Sequence, residues 1–168
     1  MEKIRSALAV GILLATLFLG GCGGDGVTED MKNMTPEKAR DQATALFESV
    51  TEAVGSDGWS REDRWVSCGQ FDGENYIQWM SFAQRFEATE LSPSEAVDQV
   101  AAGWRTLGLR PSAGPDPTVS ASAFSVSDPP LLEGVHGDGS ITQFTLSGNA
   151  ATFSASSMCF PGDILELQ

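Results

Sequence analysis

The stretch from Ser92 to Gly108 restricts the fold most. Ser92, Pro93, Ser94 and Glu95 form an S-x-x-E capping box with proline at the first helical position. Ala96, Val97, Val100, Ala101, Trp104 and Leu107 then recur at the spacing of one helix face, and Gly108 supplies the stop. A helix with a single apolar stripe needs another layer to cover it. A second helix of the same kind begins at Thr35 and Pro36, a cap followed by proline. Its apolar face is Ala39, Ala43, Leu46, Phe47, Val50 and Val54, with Arg40, Asp41, Glu48 and Glu52 opposite and Gly55 at the end. Both apolar faces read as core rather than as partner grooves.

The rest of the chain has β character. Ser56 to Asp63 reads as a polar turn holding Trp59, Arg64 to Cys68 as a short strand, and Gly69 to Asn75 as a hairpin loop. Tyr76 to Ala88 is a longer strand with apolar groups on both parities, so it is central, or covered by helices on one side and by the linker or disulfide region on the other. After a Pro/Gly-rich loop from Pro111 to Pro117, strands are expected at Thr118 to Val126, Leu131 to His136, Ile141 to Ser147 and Ala151 to Cys159. Gly137 to Ser140 and Gly148 to Asn149 make the turns. The order helix, two strands, helix, strands predicts an α+β fold, with two helices packed on one face of an antiparallel sheet of about five strands.

The amino terminus fixes the compartment. Lys3 and Arg5 precede an almost wholly apolar run from Ala7 to Leu19, shorter than the roughly 20 residues of a membrane-spanning helix, and Gly20 and Gly21 give it the small-residue exit of a cleaved signal. Leu19, Gly20, Gly21 and Cys22 resemble the lipobox at which bacterial lipoproteins are processed. That resemblance implies lipid on the sulfur of Cys22, removal of residues 1–21, and permanent membrane attachment, since acylation adds on the order of 0.8 kcal/mol per buried methylene. Residues 22–34, with Gly23, Gly24 and Gly26 and no apolar period, read as a flexible tether with a reach on the order of 20 Å. Residues 35–168 read as a single extracytoplasmic domain, too short for two ordinary cores.

Losing Glu2, Lys3 and Arg5 takes the formal net charge from −13 to about −14. Such a surface repels phosphate backbones, so nucleic acid is excluded as a partner. With Cys22 assigned to lipid, Cys68 and Cys159 remain, and in an exported protein they read as one disulfide rather than a metal pair or a reactive thiol. Zinc needs further ligands, and His136 is the one histidine of the sequence. The bridge would pin the first strand of the domain to its last.

Together with the lipobox, Trp59 and Trp65 before Cys68, the helix end from Trp104 to Gly108, and the run Met158, Cys159, Phe160, Pro161, Gly162, Asp163 make the chain similar to small actinobacterial lipoproteins of unknown function. The resemblance implies anchoring, an α+β sandwich and one disulfide, and no activity.

No catalytic constellation emerges. A serine hydrolase needs a nucleophile held by a base, and His136 beside a Gly/Asp turn has no G-x-S-x-G partner. Glu62, Asp63, Asp72 and Glu74 could supply a glycosidase pair, but they fall in turns where acids serve solubility. Gly21, Gly23 and Gly26 match G-x-G-x-x-G without the strand and helix that a dinucleotide site requires, so no cofactor is expected. Neither Asp72 to Asn75 nor Gly137 to Ser140 completes a calcium loop, and no metal is assigned. Trp65, Trp79 and Trp104 read as core. Trp59 is the candidate ligand or partner contact: it either packs on the disulfide or offers a stacking surface to a glycan or apolar ligand. The expectation is a non-enzymatic binding module on the outer face of the cell membrane, taking an envelope protein or polymer. An envelope hydrolase and a small-ligand carrier are the alternatives.

Overall fold

A computed structural model describes residues 28–131 and 133–167. The signal segment 1–21, Cys22 and the tether up to residue 27 lie outside the described residues. Three helices, α1 (Glu29–Asn33), α2 (Pro36–Val54) and α3 (Pro93–Thr106), accompany seven strands. These are β1 (Ser60–Phe71), β2 (Glu74–Arg85), β3 (Ser112–Pro115), β4 (Phe124–Asp128), β5 (Ile141–Ser147), β6 (Ala150–Ser156) and β7 (Phe160–Pro161).

Both long helices start where their caps require. The Thr35 hydroxyl accepts from Lys38 N, and in α3 Ser92 Oγ accepts from Glu95 N while the Glu95 carboxylate accepts from Ser92 N at 3.1 Å. The strands form one antiparallel sheet in the order β1-β2-β6-β5-β4-β3, with β7 also on β2. Alternation places Ala83, Phe153, Phe144 and Val126 side by side across four strands, all buried. Leu46, Val50 and Val54 of α2 and Val97, Val100, Ala101 and Trp104 of α3 close over that row. The two helices therefore share one face of the sheet, and they touch closely where a Cβ on Gly103 would stand 3.1 Å from Ser49.

Several boundaries differ from expectation. The sheet has seven strands rather than about five because β3 forms inside the expected Pro/Gly loop and β7 adds two residues against Tyr76 and Ile77. The tether does not run to residue 34 without structure: Thr28 caps α1, whose Met31 is buried against Tyr76 and Cys159. Arg64 to Cys68 is only the middle of β1, and the turn after it is confined to Asp72 and Gly73, at φ 51° and 85°. Of the expected strand from Thr118 to Val126, residues 118–123 form a turn, since the amides of Val119 and Ser120 turn back to Asp116 O, and β4 begins only at Phe124. The expected strand from Leu131 is also absent among the described residues there; Pro129 and Pro130 just before it have no N–H to donate to a ladder.

Asp116 holds that turn. Its buried carboxylate accepts from Thr118 N at 3.1 Å, Thr118 Oγ1 at 2.5 Å and Ser125 Oγ at 2.7 Å. The Thr118 hydroxyl, then Ser125, holds its pKa below the usual carboxylate value against the opposing effect of burial. A folded-state pKa below the unfolded one stabilises above about pH 4, the ordinary aspartate value, and that contribution fades as pH falls further. Asp116→Ala is expected to cost about 1–3 kcal/mol at neutral pH by leaving these donors unpaired. Its deficit relative to the parent should shrink below pH 4, as followed by urea unfolding across pH.

Candidate functional site

Because alternate residues of β2, β5 and β6 fill the core, the residues between them emerge on the face opposite α2 and α3. At the hairpin end this second face is covered. Met31 of α1, Tyr76, Met158 and the disulfide between Cys68 and Cys159, with Cα atoms 6.2 Å apart, pack together there. Nearer its centre the face is bare, and the register lays Glu62, Phe82, Ser154 and Gln143 in one row and Arg64, Met80, Ser156 and Ile141 in the next. Phe82 is 44% exposed on β2, which is paired on both sides one strand in from the sheet edge. Glu62, Arg64, Met80 and Phe82 border a shallow hollow of about 110 Å³. Glu62 Oε1 and Arg64 Nη1 stand 3.4 Å apart with both side chains largely in solvent, so their pairing adds little stability and leaves both charges accessible. The hollow thus sets an aromatic and a thioether between opposite charges, with hydroxyl and amide groups further along the same rows.

The other sequence candidates are dispersed. Trp59 is half-buried at the end of β1 away from Cys68, so it does not pack on the disulfide. Its Nε1 donates to Gly55 O at 2.9 Å, and its ring meets Phe47 edge-on at 5.3 Å, with Phe47 also touching Phe153. Trp65 and Trp79 lie opposite each other across β1 and β2, ring centroids 4.7 Å apart, with the Arg40 guanidinium over both at 5.2 and 5.0 Å. Arg40 on the polar side of its helix gave no sequence signal of this contact.

Glu62 and Asp63 are consecutive strand residues and face opposite sides, and each pairs with its own arginine, Arg64 and Arg61. Asp72 and Glu74 sit at the hairpin turn. The four acids therefore do not face one gap as glycoside cleavage needs. His136 Nε2 lies 3.0 Å from Asp128 Oδ1, while Asp128 Oδ2 accepts from Arg110 N. The neighbouring hydroxyl, Ser140 Oγ, donates to Asp138 instead of to the imidazole. His136 borders two clefts, one of about 60 Å³ towards α2 and one of about 150 Å³ towards Met31 and Phe71.

Sequence reasoning also missed Arg85. Buried at the end of β2, it donates to the carbonyls of Val54 and Gly55 at the end of α2 and lies 3.5 Å from Glu87. A cation at the carbonyl end of a helix is favourable, and this one fastens α2 to the sheet beside an open hollow of about 440 Å³.

The fold is shared with an actinobacterial protein. The chain is similar to the crystal structure of a DUF4853 family protein from Actinomyces odontolyticus, with a TM-score of 0.52 over 83% of this chain and 75% of that one. Identity is 12%, so the likeness shows the architecture alone. No protein-family model matches the chain, and no curated protein matches it.

Proposed function

We propose that the chain is a lipid-anchored extracytoplasmic lipoprotein, held on the cell membrane by lipid on Cys22, that acts as a non-enzymatic binding module for an envelope protein or polymer. The order of Leu19, Gly20, Gly21 and Cys22 supports the anchoring, and the bare central part of the sheet around Phe82 supports the binding. A large aromatic that is left 44% exposed on a strand paired on both sides, one in from the edge strand β1, is the observation that carries the reading.

Phe82→Glu tests it. A charge there is expected to abolish the crosslinked species recovered from intact cells. With Glu62 directly opposite, the new like-charge pair is expected to cost up to about 1 kcal/mol, too little to unfold the domain, so lost crosslinking with a retained unfolding transition is the supporting result. Crosslinking that survives the substitution at full yield would remove this face from the proposal.

A further inference from the structure

The end of the domain that carries α1 has a second exposed apolar group, separate from Phe82. Phe71, 39% exposed at the tip of β1, stands edge-on to Tyr76 at 5.0 Å. Val135, 59% exposed, lies across from it. With Met31, Gly139 and Cys159 they line a cleft of about 150 Å³. Met31 belongs to α1, and α1 is docked onto this end through Met31 against Tyr76 and Cys159.

Where the chain enters the domain decides what can cover the cleft. From Cys22 to Thr28 there are six Cα–Cα steps, which span at most about 20 Å when fully extended. A membrane anchor on Cys22 therefore holds the α1 end within that distance of the bilayer, whatever the tilt of the rest of the domain. We infer that this end is the membrane-facing surface of the domain, with Phe71 and Val135 seated at the boundary between headgroups and acyl chains. This rests on the anchoring proposed above. Attraction to anionic lipid is not the cause, since Glu29, Asp30, Asp72, Glu74 and Asp138 surround the same end and Lys32 is the one cation of α1. Instead, a short tether keeps the apolar tip at high local concentration beside the bilayer, where even a weak contact is populated. The bare sheet around Phe82 is then left clear of the membrane for its partner.

The test uses the chain from Cys22 onward, with a diacyl lipid attached chemically to Cys22. That thiol is free for coupling because Cys68 and Cys159 are bonded to each other. The photoreactive residue benzoylphenylalanine is placed at 71 or 135, and for comparison at 82 or 107, and the protein is bound to phosphatidylcholine vesicles. Illumination is expected to give several-fold more lipid adduct at 71 and 135 than at 82 and 107. Equal yields at all four positions, more adduct at 82, or adducts from 71 and 135 to residues 23–27 of the same chain would each overturn the orientation. Fatty-acid labelling of cells producing the parent chain and Cys22→Ala reports on natural acylation separately, so loss of the anchoring proposal is distinguished from loss of this one.

Discussion

Trp104→Ala is expected to destabilise the domain by about 3–5 kcal/mol, the range for emptying a fully buried large aromatic site. Trp104 has no solvent exposure, and it stands where α2, α3 and the sheet meet. Its indole Nε1 donates to Leu46 O at 3.1 Å, and its ring lies 6.4 Å from that of Phe153. Collapse into the space is opposed from two sides, because Gly103 already brings α3 against Ser49 of α2 and the sheet is fixed by its ladders. Since folded domains commonly retain only about 5–15 kcal/mol, much of the total would go. Trp104→Phe keeps most of the volume and forfeits the hydrogen bond, so its expected cost is smaller. Urea unfolding of both variants checks the pair, and a loss below about 1 kcal/mol for the alanine variant would contradict the packing described.

The disulfide is the second large contribution. Joining positions 91 apart in sequence restricts the unfolded chain by roughly 4–5 kcal/mol in the chain-entropy model. In the folded chain the bridge ties β1, at the edge of the sheet, to the residue just before β7, and it supports Met31 and Tyr76. The double variant Cys68→Ala/Cys159→Ala leaves no unpaired thiol at either site. Its unfolding midpoint is expected to fall sharply and to coincide with that of the parent under reducing conditions. An unchanged midpoint would mean that no native bridge forms.

The helices were legible because capping is written locally. Thr35 with Pro36, and Ser92 with Glu95, announce α2 and α3 without reference to the rest of the molecule. The two-layer α+β arrangement followed from their stripes. Strand ends were less legible, since a turn former serves more than one purpose. Gly69, Asp72, Gly73 and Asn75 together suggested a long loop, yet Gly69 takes up a register irregularity within β1 and only Asp72 and Gly73 turn the chain, both with positive φ as a two-residue hairpin requires. Asp116 shows the same limit, because its turn is held partly by the Ser125 hydroxyl, which comes from β4 nine residues on.

For the candidate site, the two apolar parities of the strand holding Phe82 were visible. Which of them faced water was not, since that is set by the pairing of β2 with β6, some 70 residues away. Trp59 drew notice because it lies among polar residues. What it packs on, Phe47 from the preceding helix, depends on how β1 leaves α2.

That same pairing divides the chain in an unexpected way. The β1–β2 and β5–β6 hairpins each close over short distances, whereas the amino-terminal half of the sheet meets the carboxy-terminal half along β2 alone, from Met80–Arg85 to Ala151–Ser156 and, beyond it, from Tyr76 and Ile77 to Phe160 and Pro161. Loop closure over such a span is slow compared with forming either hairpin. Until β2 meets β6, the row of Ala83, Phe153 and Phe144 is incomplete and one long strand edge of each hairpin stands open, which is the kind of surface through which an unfinished sheet aggregates.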